Sequence, residues 1–336
     1  MGKRGLNVNE YMYSSARIRA LENGLIGQDK LNRLLEMQGP EAVMQALDGY
    51  GIRLNRESGE ETREDLFLRI LKDAYTEVDS MMPEGQDLSF LRLKYDCHNI
   101  KSVMKCYYRH VDPSSMIIPL GTLDIESLQK RMEQHDLENL EGPFAEAAAK
   151  ADLEYASTQN PQVIDLILDR AYFESAAEAA RAFGSDYLCR VVAARADLLN
   201  CMMTVRTIRM GQSEASRSLL DRALVPGGVL ETSFFEEAFS AGEQALFEGL
   251  AKTDYYRFSK SALESDLTLA TLERLADNAV MEAVREAKFI SFGPEVSIAY
   301  LEGMETAVKN MRILLAGKDS GLSVESIRER LRDSYV

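Results

Sequence analysis

Four residues of types that bind metals or act as nucleophiles fall close together: Cys97, His98, Cys106 and His110. On one helix Cys97 and Cys106 would stand about 13.5 Å apart, at 1.5 Å per residue. Two thiolates that must each come within about 2.3 Å of a zinc ion cannot do so from a single straight helix. Cys106 and His110 share a face at i,i+4, but two ligands do not complete a structural site. The pattern therefore predicts small buried side chains and no metal centre. Nucleophilic chemistry has no better footing. The chain holds three histidines, His98, His110 and His135, and no Gly-x-Ser-x-Gly elbow. Neither phosphate-loop pattern with its spaced glycines occurs, and Pro226-Gly227-Gly228 reads as a turn between helices. Carboxylate pairs abound, but in an acidic helical chain these form solvated faces. The sequence predicts neither catalysis nor a cofactor.

Two acid–amide pairs carry more information. Asp96 with Asn99, and Asp197 with Asn200, place two polar side chains at i,i+3 on one helical face. A base follows each pair, Lys105 in the first case and Arg206 in the second. Polar groups on otherwise apolar helices usually bond to backbone or to a neighbouring helix. An intradomain clamp is the expectation, with a partner contact as the alternative. Tyr11, Tyr13, Arg17 and Arg19 concentrate aromatic and arginine character ahead of the first helix. Such residues are enriched at interface hot spots, and a packing anchor for the N-terminus would use them equally well.

Composition bounds the elements that position these groups. The 336 residues are 46% hydrophobic, enough for substantial cores. Basic residues number 39 against 54 acidic, a net charge of −15, which argues against nucleic acid and anionic lipid as partners. Four scattered cysteines, Cys97, Cys106, Cys189 and Cys201, make no disulfide framework and suit a reducing cytoplasm. The first six residues lack the apolar run of a signal peptide, and Leu6 stands where a myristoylation motif wants Ser or Thr. No uncharged stretch reaches the 18–20 or so residues of a membrane span. A cytoplasmic chain without direct lipid anchoring is expected.

Periodicity predicts an all-α fold. Leu66, Phe67, Ile70, Leu71, Ala74, Tyr75 and Val78 trace one 3.6-period face. Phe144, Ala147, Ala151 and Tyr155 trace another. Residues 187–210 and residues 260–288 each read as one long helix. Gly39-Pro40-Glu41, Asn160-Pro161 and Gly293-Pro294-Glu295 are start signals. Residues 115–120 read as an extended connector.

A unit recurs at a spacing of about a hundred residues, beyond the roughly 20–50 of solenoid repeats. Asn99, Asn200 and Asn310 mark it, and Gly121, Gly228 and Gly321 appear as matching breaks before new helices. The expectation is three tandem similar helical domains around a pseudo-threefold axis, with bounds 1–120, 121–227 and 228–336.

The closing stretch contains Phe292-Gly293-Pro294-Glu295, Tyr300, Glu305, Asn310, Arg312, Gly317-Lys318, Gly321-Leu322 and Ile327-Arg328-Glu329-Arg330-Leu331. It resembles the C subunit of V/A-type rotary ATPases, whose eukaryotic relative is the d subunit. Tyr11, Tyr13 and the run from Ala16 to Glu22 resemble that family's opening helix. Asp165 to Arg170, Asp197 to Arg206 and Pro226-Gly227-Gly228 extend the likeness along the chain. Two departures stand out: Met304 replaces a Lys and Ala307 replaces a Glu. Ala307 occupies the position of Asp96 and Asp197, so the third repeat lacks its acid.

The resemblance implies three all-helical domains forming a funnel on the cytoplasmic side of the membrane rotor ring. It implies that the funnel receives the D and F subunits of the central stalk. Turning with the rotor, such a protein would couple ATP hydrolysis or synthesis to proton or sodium transport without catalysing either. A general helical adaptor for soluble partners is the alternative.

Overall fold

The computed structural model describes residues 8–55, 61–84, 86–265 and 267–336. The six N-terminal residues that bear on targeting signals lie outside the described residues. α-Helices and short 3-10 turns make up the regular structure, with no strand among the described residues. The fold is all-α. No helix of the described residues is long and apolar enough to cross a membrane.

Two compact units divide the chain, residues 1–86 with 247–336 and residues 87–246. The first unit opens with α1 (Met12–Leu21), α2 (Gln28–Leu35), α3 (Gly39–Gly49) and α4 (Arg63–Ser80). The second contains α5 (Leu93–Arg109), α6 (Ile125–Glu133), α7 (Ala145–Thr158), α8 (Gln162–Phe183), α9 (Asp186–Arg209), α10 (Glu214–Ala223) and α11 (Thr232–Ala241). The boundary between the units falls within helix α12 (Glu243–Leu250). The first unit then resumes with α13 (Tyr256–Glu264), α14 (Leu269–Arg285), α15 (Pro294–Asp319) and α16 (Val324–Arg328).

Each unit is organised around its longest helices. In the first, α15 packs against α1, α3 and α4. Most of its apolar residues are buried, among them Ile298, Leu301, Val308, Met311 and Leu314, as befits a helix largely enclosed by neighbours. In the second, α8 and α9 pack together and gather α5, α7, α10 and α11. Ile100, Met104, Leu128, Phe144, Ala148, Ile164 and Leu168 form one buried cluster there. Ala148 and Ala151 of α7 belong to the same buried cluster, where a methyl group occupies little of the groove between helices.

Local signals set the ends. Thr62 and Asp65 exchange a full capping box at the start of α4. Ser185 and Ser213 cap α9 and α10, and a proline opens α3 and α15.

The structure corrects two expectations. Residues 260–288 are two helices, α13 and α14. The apolar period of Leu263, Leu267, Leu272 and Leu275 runs across the join and conceals it. Thr268 adopts extended backbone and its side chain accepts from Thr271 N, which starts a new helix. Tyr13, Arg17 and Arg19 lie within α1, and Tyr11 at its N-cap, not ahead of a helix. The buried face of α1 consists of Ser14, Ser15 and Ile18, too polar to register as an apolar stripe.

Candidate functional site

The acid–amide positions form a repeated device. On α5, Asn99 Nδ2 donates to Ile118 O at 2.9 Å and Asn99 Oδ1 accepts from Ile118 N at 2.9 Å. On α9, Asn200 makes the same reciprocal pair with Val225, at 2.9 and 2.8 Å. On α15, Asn310 makes it with Arg332, again at 2.9 and 2.8 Å. All three asparagines are buried. Each amide thus satisfies both backbone groups of one residue in a connector that crosses back over the helix, buried at Val225 and partly buried at Ile118 and Arg332.

The acids act one step further along the connector. Asp96 Oδ1 accepts from Thr122 N (2.7 Å) and Leu123 N (3.0 Å), and Oδ2 accepts from Thr122 Oγ1 (2.8 Å). Asp197 accepts from Val229 N (2.9 Å) and Leu230 N (3.1 Å). These donor pairs lie just before α6 and α11, where backbone N–H groups and the helix dipole favour a carboxylate.

Glycine is required beside each acid by close approach. A Cβ on Gly121 would stand 2.3 Å from Asp96 Oδ1, and one on Gly228 would stand 2.0 Å from Asp197 Oδ1. Both glycines sit three residues after the clamped residue. The third repeat places Tyr335 there, and its acid position is the buried Ala307. Acid and glycine are lost together. Tyr335 is buried, and a Cβ on Gly303 would meet it at 2.8 Å. The hydroxyl of Tyr335 donates to Glu22 Oε1 at 3.1 Å.

Gly321 therefore has a different job from Gly121 and Gly228, with which its spacing in the sequence aligns it. It is left-handed (φ 67°) at the end of α15. His110 (φ 53°) and Gly211 (φ 97°) hold that place after α5 and α9. In all three repeats the left-handed residue comes eleven positions after the asparagine.

The remaining residues singled out in the sequence have varied surroundings. Lys105 pairs with Asp165 at 2.5 Å and Lys101 with Asp169 one turn earlier. Arg206 is exposed and lies 4.0 Å from Met203 Sδ. Arg312 grips Glu64 with Nε at 3.0 Å from Oε2. Arg17 pairs with Glu77, and Arg19 with Glu22 while it donates to Ala287 O and Ile290 O. Burial pushes the Tyr11 hydroxyl up to about 12, with Glu295 and Glu10 adding to it. The cysteines and His98 are engaged with groups other than one another. Cys97 Sγ donates to Leu168 O, His98 Nε2 stands 2.9 Å from Met116 O, and Cys106 Sγ faces Met116 Sδ. Burial raises the Cys97 thiol to about 12, the opposite of a reactive or metal-binding cysteine.

The fold also exposes apolar side chains on two segments, of which Tyr13 and Phe292 stand out in the sequence. Met12 and Tyr13 at the start of α1, and Phe289 and Phe292 before α15, are all solvent-accessible, Phe289 at 91%. Ser15 ties the two segments together, accepting from Gly293 N at 3.1 Å and donating to Gly293 O at 3.4 Å.

The sequence profile of the ATP synthase (C/AC39) subunit family matches residues 14–330, so it spans all three clamps apart from the segment just after Arg330. The chain belongs to that family. The C subunit of the V-type sodium ATPase of Enterococcus hirae is 24% identical over 338 residues, covering 97% of this chain and 99% of that one. The C subunit of the A-type ATP synthase of Methanocaldococcus jannaschii is 25% identical, covering 98% and 88%. Its counterpart from the A-type ATP synthase of Thermococcus kodakarensis is 26% identical, covering 95% and 89%. The clamps hold helix connectors in place within each repeat.

Proposed function

We propose that this chain is the central-stalk coupling subunit of a rotary V/A-type ATPase. It joins the D and F stalk subunits to the membrane rotor ring on the cytoplasmic side. It passes torque between ATP hydrolysis or synthesis and proton or sodium movement, and catalyses neither. Its three repeats, over residues 1–120, 121–227 and 228–336, form a pseudo-threefold funnel that seats the stalk.

The observation that carries this reading is the threefold clamp, in a chain whose relatives are named as ATPase or ATP synthase subunits. A part that transmits torque must not open locally under load. Local opening is cheapest where connectors hold few buried hydrogen bonds, and here each connector is pinned through both backbone groups of one residue. The exposed corner of Met12, Tyr13, Phe289 and Phe292 offers aromatic anchors of the kind that dominate protein interfaces.

The test is direct mixing of the purified chain with a D/F complex and with detergent-solubilised rotor ring from the same source. A complex with each is expected. Binding to neither, at low and at moderate salt, would sink the proposal.

A further inference from the structure

A cavity of about 890 Å³ opens in the first unit between the start of α14, the end of α15 and the segment around α16. Ile313, Ala316, Leu322 and Ile327 give it an apolar lining, and Arg274, Arg330 and Arg332 bring positive charge to it. Arg332 is satisfied within the unit, by Asp277 at 2.8 Å and Glu273 at 3.1 Å. Arg274 and Arg330 have no such partner among the described residues. Arg274 Nε is buried with no hydrogen-bond acceptor, and it alone among the described side-chain atoms so stranded belongs to a cation.

A chain with 54 acidic and 39 basic residues has carboxylates to spare. A partly desolvated guanidinium left unpaired is therefore a cost that the fold itself does not offset. The start of α14 lines the same cavity through Thr268, Ala270 and Thr271, with no acid in its first turn. The positive end of that helix adds to the same field.

We propose that this cavity receives an acidic side chain of another subunit, its carboxylate held by Arg274 with Arg330 beside it. The guanidinium fork matches a carboxylate with two parallel hydrogen bonds. The apolar lining accommodates the aliphatic part of the incoming residue. Glu273 and Glu329 also line the cavity, and the chain carries a net charge of −15. A carboxylate delivered by a docked protein brings a single negative charge, which the two unpaired guanidinium groups can balance beside these acids, whereas a multivalent anion would add to the chain's surplus of negative charge. This inference rests on the coupling role proposed above, since it needs an assembly partner.

Arg274→Met and Arg330→Met, singly and together, provide the test. The isolated Arg274→Met chain should melt at the wild-type temperature or higher, because the change removes an unsatisfied buried donor. The double variant should bind either the D/F complex or the rotor ring at least tenfold more weakly, with the other interaction unchanged. Wild-type binding to both would overturn the inference and leave the coupling role standing. Failure of the unmodified chain to bind either partner would remove the role and the inference with it. A lowered melting temperature for Arg274→Met with unchanged binding would assign Arg274 a structural duty and contradict the inference. Inorganic phosphate that raises the wild-type melting temperature, and loses that effect in Arg274→Met, would contradict it by showing a free-oxyanion site.

Discussion

A buried asparagine that pairs with both backbone groups of one residue strands two of them when it is removed. Asn200→Ala should therefore cost about 2–4 kcal/mol, the penalty for a buried donor and acceptor left unpaired, and Asn310→Ala should behave alike; urea unfolding measures both. The acid and glycine beside the clamp are coupled sterically. Gly228→Ala puts a methyl group where Asp197 Oδ1 now lies. It should be far less costly in an Asp197→Ala background, with a coupling of at least about 1 kcal/mol in the double-mutant cycle. Additive effects would contradict the steric account. The pairing of Ala307 with Tyr335 in the third repeat is the same solution already present in the chain. Half of this device was legible in the sequence. Asp96, Asn99, Asp197 and Asn200 stand out as polar residues on apolar helices. Their targets did not, because Ile118 and Val225, like Arg332 opposite Asn310, are held by backbone groups that any residue type carries. Titration follows from burial at the same scale. Burial lifts Cys97 from 9.0 to about 12, and burial followed by Glu22 lifts Tyr335 from 10.0 to about 12. The folded chain keeps these protons where the unfolded chain releases them. Stability should hold steady from neutral pH to about pH 9 and decline as pH climbs towards 12. Unfolding midpoints across that range check this, and Cys97→Ala should reduce the part that begins near pH 9, leaving the share of Cys201, whose thiol burial also raises.

Helix ends decide the register of these parts at the scale of elements. Three long helices, α5, α9 and α15, each finish on a left-handed residue eleven positions after the clamp asparagine. Two of those residues are glycines and one is His110. His110 accepts a conformation that costs a side-chain-bearing residue on the order of 1 kcal/mol. His110→Gly should therefore stabilise the second unit by up to about 1 kcal/mol in urea unfolding, and a loss would show that the imidazole has a compensating contact. Thr268→Ala should cost about 1 kcal/mol by removing the cap of α14. Glycine carries two meanings in this chain, and the sequence alone does not separate them. Gly321 supplies a positive φ, whereas Gly121 and Gly228 supply room for a carboxylate. The long helix α9 was visible because its apolar residues persist through many turns. The break between α13 and α14 was not, because a leucine period continues across it and only Thr268 marks the restart.

On the scale of the whole molecule, the chain leaves its first compact unit after Gln86 and returns to it at Phe247. One cooperative body is thus closed by segments from both ends of the sequence. Ion pairs on its surface link elements far apart in the chain, such as Arg63 with Asp319 and Arg328 with Glu36. Exposed pairs of this kind contribute little individually, so cohesion comes from the buried face of α15 and from the Asn310 clamp. The coupling role predicts that such a body matters to transport and not to chemistry. The decisive measurement is ATP-driven ion uptake into vesicles carrying the purified ATPase, with this chain omitted and then restored. The head should hydrolyse ATP without the chain while uptake stops, and adding the chain should restore uptake. Uptake at full rate in its absence would contradict the account.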